Sequence, residues 1–226
     1  MELNDYIALS KSTDISVGGY GGAVRNRFSI HSMRLLHASL GLSSEVDELG
    51  RVLLPAIQGR DRIEGAALVN LCEEIGDLAW YWALLTREAP FYCDGTEIGE
   101  DMSFASEAAF SRTGQVIRHN VRHSASVVLF SITGSTSRLA DHVKRHLFYG
   151  APIRLEPHVQ AVMTSIVRLV EFAKGMNDDV TLENILRANL LKLSRRFPDS
   201  FSEESALVRD LQAETATLAE VLKIQV

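Results

Sequence analysis

The sequence predicts an all-α chain folded as one helical bundle. Three observations carry that expectation. Apolar residues recur at helical spacing along most of the 226 residues, only five prolines interrupt them, and the one stretch with strand character, VVLFSI at 127 to 132, has no second strand to pair with. A hydrophobic content of 46% fills a substantial core without covalent staples. The two cysteines, Cys72 and Cys93, form no C-x-x-C pair, which argues against a disulfide framework or a thiolate zinc site and points to a reducing, intracellular setting.

Taken in order, the N-terminal MELNDYIALS lacks the basic-then-apolar pattern of a secretory signal. VGGYGG at 17 to 22 reads as a loop without the Gly-Lys-Ser/Thr ending of a phosphate-binding P-loop. Helices are expected at 29–54, 62–88, 103–148 with a break at Gly134, 158–175, 181–196 and 202–224. Pro55, Pro90, Pro152, Pro157 and Pro198 all fall between them, and Ser200 with Glu203 has the capping-box spacing that opens the last. The longest apolar run, LAWYWALL at 78 to 85, is far short of the ~20 residues of a membrane span. A net charge of -6 gives no general attraction to nucleic acid or anionic membrane. The expectation is a cytoplasmic single domain over 1–226 that binds neither.

A weak internal repeat bears on the architecture. A shift of 93 pairs Leu36 with Leu129, Gly41 with Gly134, Ser44 with Ser137, Glu48 with Asp141 and Arg51 with Lys144; a shift of 91 pairs Ile75 with Ile166, Leu78 with Leu169 and Tyr81 with Phe172. The bundle is then either a degenerate tandem repeat of a helix pair, with halves at 29–88 and 122–176 and C-terminal helices at 181–224, or a chance likeness of two amphipathic hairpins. Under the pairing, Glu45 is answered by Arg138, Glu74 by Ser165 and Asp77 by Arg168. The second copy exchanges acids for cations.

The acids stand out within the helices. In NLCEEIGDLAWYW, residues Leu71, Ile75, Leu78, Trp82 and Leu85 make one stripe with Glu74 and Asp77 on its flank, while Glu73 and Trp80 fall on the opposite side. In LSSEVDELGRVL, Leu42, Val46, Leu49 and Leu53 make the stripe, Glu45 and Glu48 take the matching flank, and Asp47 and Arg51 face away. Each pair is spaced i, i+3, so its carboxylates are neighbours. If the stripes pack together, four charges meet at one edge, and each close pair repels by ~1 kcal/mol in water-like surroundings and ~4 kcal/mol at an effective dielectric of 20. Protonation, arginine partners or divalent cations can offset this, and an all-oxygen set suits Mg²⁺ or Mn²⁺. An ordinary exposed face is the plain alternative. A di-iron bundle would require Glu-x-x-His on two helices, and Glu48 and Asp77 stand where the histidines belong.

LLHASLGLSSEVDEL followed by NLCEEIGDLAWYWALL resembles the MazG-like all-α nucleoside triphosphate pyrophosphohydrolases of phages and bacteria, whose signature is ExxE, a spacer, then ExxD. Here the motif is Glu45, Glu48, Glu74 and Asp77, with a spacer from 49 to 73 inside the family's range. Ser44 departs from the acid that many relatives carry before the first Glu, which leaves the number of cations open. LADHVKRHLFYGAPI and NLLKLSRRFPDSFSEESALVRDLQAE resemble the family's closing part, in which an Asn and basic residues contact phosphates.

The resemblance implies Mg²⁺- or Mn²⁺-dependent hydrolysis of (deoxy)nucleoside triphosphates to the monophosphate and pyrophosphate. Glu45, Glu48, Glu74 and Asp77 would be metal ligands, and Glu45 or Glu48 would accept the water's proton. Asn189, Lys192 and Arg196 would bind phosphate, joined by Lys144; Arg168 is added by the internal pairing, and Tyr81, on the acid-bearing side of its helix, either stacks on the base or is a core or interface residue. Lys192 and Arg196 also suit the helix macrodipole with no ligand at all. Glu73 is expected to be merely exposed. A dUTPase- or dCTPase-like specificity is the alternative within this chemistry, and a catalytically silent dimerising module of the same fold is the alternative outside it. The family implies a homodimer or higher homo-oligomer.

Overall fold

Ser29 opens the first helix by accepting from the Ser32 backbone N–H, while the Ser32 hydroxyl oxygen accepts from the Ser29 N–H at 2.7 Å, a reciprocal cap. The computed structural model describes residues 24–92, 121–197, 202, 204 and 210–225. Six α-helices follow in order: α1 Ile30–Ile57, α2 Ala66–Glu88, α3 Val121–Tyr149, α4 Glu156–Lys174, α5 Leu182–Arg196 and α6 Leu211–Leu222, with a 3₁₀ turn at Ala89–Tyr92. No strand occurs among the described residues.

The helices pair as antiparallel hairpins. Along α1 and α2, His31 Nδ1 meets Glu88 at 2.8 Å near one end and Glu45 meets Glu74 further on. Along α3 and α4, Ser131 meets Ser165 and His142 meets His158. The hairpins stack with α1 on α3 and α2 on α4, where the Trp82 indole N–H donates to the Val159 carbonyl. Helix α5 lies against α2, and α6 covers α5 and α2.

The stripes expected from the sequence are the core faces. Leu42, Leu49, Leu53, Leu71, Ile75, Leu78 and Leu85 are fully buried, and one apolar cluster runs through all six helices. At ~25 cal/mol per Å² of apolar surface removed from water, each such side chain contributes about 1.5 to 3 kcal/mol. The 127–132 stretch is helical within α3.

Several boundaries differ from expectation; among them, the second helix begins at Ala66 rather than 62. Helix α1 runs through Pro55 to Ile57. The acceptor that loses its partner there is the carbonyl of Arg51, an exposed residue, so the loss is tolerable one turn from the end. Pro157 lies in the first turn of α4, where its missing N–H would have no intrahelical partner in any case. Helix α3 does not break at Gly134, because buried Ile132, Ser135 and Thr136 anchor both sides of it, which outweighs a propensity penalty of ~1 kcal/mol. The capping box at Ser200 and Glu203 and the 103–120 part of the third helix lie outside the described residues. Helix α6 begins at Leu211 rather than 202, with Asp210 as its cap, accepting from the Ala213 N–H.

Candidate functional site

The two acidic flanks converge. One carboxylate oxygen from each of Glu45, Glu48 and Glu74 falls within 4.8 Å of the others, with Glu45 and Glu48 half-buried and Glu74 buried at 8% exposure. Helix periodicity forces this: Val46 and Leu49 pull α1 onto Ile75 and Leu78 of α2, and the acids follow on the same side. Burial above all, then the charges of Glu48, Glu45 and Asp77, pushes the Glu74 carboxyl up to about 9. Glu45 is pushed up to about 7, mainly by burial and by Asp77 and Glu48, against a hydrogen bond from Glu74 and the pull of Lys192. Without a cation the cluster therefore holds protons at neutral pH, with Glu74 protonated and bonded to Glu45. The donors are carboxylate oxygens alone, the set a hard divalent cation prefers.

Asp77 stands apart from this trio. It accepts from the Lys192 ammonium at 2.6 and 2.8 Å and from the Asn189 amide at 2.5 Å. Lys192 is 1% exposed and donates its third proton to Glu73 at 3.2 Å. Glu73 is thus not the merely exposed acid expected from its helix position. Its i, i+4 relation to Asp77 was the signal for a shared face toward α5, and that face receives the ammonium.

Two glycines make the approach possible. A Cβ on Gly76 would lie 2.9 Å from the Asn189 Cβ, so only glycine admits α5 at this distance. At Gly41 the Tyr81 ring occupies the space of a side chain. That ring meets His37 and Trp80 edge-on, at centroid distances of 5.5 and 4.9 Å. Burial, then the charges of Glu45, Asp77 and Glu48, holds its phenol above the usual range, so Tyr81 borders the acids. Trp80, placed by the sequence on the side away from Glu74 and Asp77, is 40% exposed in the single chain.

The remaining basic residues are distributed elsewhere. Arg196 makes two hydrogen bonds to Glu214, at 2.9 and 2.6 Å, tying α5 to α6. Lys144 is exposed and paired with Asp141 at 2.5 Å. Arg168 donates to the Ser131 hydroxyl at 3.1 Å on the α3/α4 hairpin. None of the three bonds to the acid trio. Buried Cys72, its thiol pushed up to about 12 by desolvation, is chemically inert, and Cys93 lies outside the described residues.

No helix among the described residues is long and apolar enough to cross a membrane. No family model, curated protein or solved structure matches the chain.

Proposed function

We propose that the chain is a MazG-like, Mg²⁺- or Mn²⁺-dependent nucleoside triphosphate pyrophosphohydrolase, acting on a (deoxy)nucleoside triphosphate to give the monophosphate and pyrophosphate. The observation that carries this reading is the convergence of Glu45, Glu48 and Glu74 within 4.8 Å, at the edge of a helix pair whose fourth motif acid, Asp77, is held by a buried lysine. A structural ion-pair network would match each acid with a cation. Here Lys192 goes to Asp77 and Glu73, and the trio is left to protons.

The donor set fits a divalent cation, which when bound supplies charge compensation and polarises phosphate oxygens. Glu45, Glu48 and Glu74 are its ligands in this reading. Water adds across the anhydride between the α and β phosphates, pyrophosphate departs, and the water's proton passes to a carboxylate. Glu45 or Glu48 takes that proton, since both are more open to solvent than Glu74. Asn189 and Lys192 fix the Asp77 carboxylate, and the buried Lys192 ammonium offsets negative charge beside the trio. Tyr81, beside the acids, is the residue assigned to the base. Arg196, engaged by Glu214, supports the site by holding α6.

A homo-oligomer belongs to the same proposal. Ile30, Met33 and Leu40 share an exposed apolar strip of α1, with exposed Trp80 beside it through His37, and light scattering tests whether it is covered in solution.

The deciding experiment is a pyrophosphate-release assay across the eight common (d)NTPs with Mg²⁺ and Mn²⁺. Glu48→Gln and Asp77→Asn are expected to abolish turnover with the helical circular dichroism intact. A preference for dUTP or dCTP would select the narrower specificity. No release from any triphosphate by the parent would leave the silent dimerising module.

A further inference from the structure

The α3/α4 hairpin carries a cavity of about 290 Å³ whose lining contains two arginines, Arg138 and Arg168, and no carboxylate. Its floor is built from hydroxyls: Ser131 and Ser135 each bond the Ser165 hydroxyl, at 3.0 and 3.2 Å. Ser135 and Ser165 are buried and lie within hydrogen-bond reach of the backbone carbonyls of Ser131 and Ala161 as well, so the floor is ordered before any ligand arrives. Small side chains there let the guanidinium groups reach over the hairpin. Arg138 folds across Gly134, 3.4 Å from where a Cβ would stand.

Arg168 uses one donor on Ser131, and Arg138 has neither a hydrogen bond nor an ion pair to any described residue. An arginine offers five donors in a rigid fork. Two such groups over one cavity, with no acid to satisfy them, make an anion site. The size lies at the small end of ligand cavities, which suits a phosphate group better than a whole nucleotide. Phe130, 80% exposed, stands at the rim. The residues that line this cavity, Arg138, Ser165 and Arg168, are the ones the internal pairing sets against Glu45, Glu74 and Asp77.

We propose that this cavity binds a phosphate group, held between the guanidinium groups of Arg138 and Arg168. The site is separate from the acid trio and goes beyond the pyrophosphohydrolase reading. Free phosphate, pyrophosphate and the phosphate of a nucleotide share the required chemistry, and the exposed Phe130 ring is what a nucleotide would gain.

The full chain, kept in EDTA so that the acid trio carries no cation, is titrated by calorimetry with inorganic phosphate, pyrophosphate and a nucleoside monophosphate at matched ionic strength. Saturable binding with one site is expected, weakened roughly ten- to a hundredfold by Arg138→Gln or Arg168→Gln, as for the loss of a charge-assisted hydrogen bond, and unchanged in Glu45→Gln. Both arginines are exposed, so the variants keep the fold, which circular dichroism verifies. A monophosphate that binds more tightly than phosphate, with the gain lost in Phe130→Ala, identifies a nucleotide as the occupant; equal binding identifies the free oxyanion. Absence of saturable binding in the parent, or binding that persists undiminished in both arginine variants, overturns the proposal. Because no turnover is measured, an inactive enzyme would leave the result unaffected.

Discussion

Glu74→Gln should stabilise the protein in the absence of divalent cations, by an amount that grows as pH rises above about 5. The native Glu74 carboxyl is pushed up to about 9 from an ordinary value of 4.5. Between those values the folded chain binds a proton that the unfolded chain has released, so stability from this group falls as pH rises. At pH 8 the gap is three and a half units; each unit is worth about 1.4 kcal/mol, so the ceiling is about 5 kcal/mol. Glu74 shares its proton with Glu45, and the pair titrates together, which brings the expectation to ~2 to 3 kcal/mol. The glutamine amide keeps a donor toward Glu45 and carries no charge to bury. For a chain of this size the gain corresponds to about 4 to 12 °C in Tm. Thermal melts of parent and variant in EDTA at pH 5 and pH 8 read it directly. Near pH 5 the two should differ by less than about 1 kcal/mol. Identical midpoints at pH 8, or a variant less stable at both pH values, would refute the argument that the trio is a strained, like-charged cluster.

Lys192→Met removes the ammonium from Asp77 and Glu73 and should cost about 3 to 5 kcal/mol in denaturant unfolding, with part of the loss recovered in combination with Asp77→Asn. Gly76→Ala drives a methyl into Asn189 and should destabilise by about 1 to 3 kcal/mol; a penalty that persists in full in an Asn189→Gly background, which lacks the crowded Cβ, would locate the crowding elsewhere. Mn²⁺ binding to the cation-free protein should release protons held by Glu45 and Glu74, so affinity rises between pH 6 and pH 8 by up to about tenfold per unit for each proton released. Calorimetry in two buffers of different ionisation enthalpy counts those protons, and an affinity independent of pH would exclude the trio as the binding site.

Periodicity made much of this fold legible. The stripes Leu42-Val46-Leu49-Leu53 and Leu71-Ile75-Leu78-Leu85 could be read because a core-facing helix must repeat its apolar residues every three or four positions, and the flanking acids were then fixed by the same rotation. The docking of α5 was harder to see. Nothing local distinguishes Lys192 from a lysine near a helix C-terminus, since the reason for its burial lies in Glu73 and Asp77, more than a hundred residues away. Arg196 was read as a phosphate ligand for the same reason, yet its partner is Glu214 on the last helix. Helix continuity through Pro55 and Gly134 was also hidden, because tertiary packing on both sides overrode a local breaking tendency.

Asp77 links the two levels. Its charge helps to raise both Glu45 and Glu74, yet its oxygens are bonded to Asn189 and Lys192 of α5. The protonation of the trio is therefore coupled to the seating of a helix distant in sequence. With α5 docked, Lys192 offsets part of the negative potential at Glu45. Displacing α5 would leave Asp77 acting on the trio with its full charge. The close approach that Gly76 allows is what makes this coupling strong, because the interaction weakens with separation and is screened as water enters. A cation site built from α1 and α2 alone would form in the absence of α5. One that depends on the Asp77–Lys192 contact forms fully only in the complete bundle.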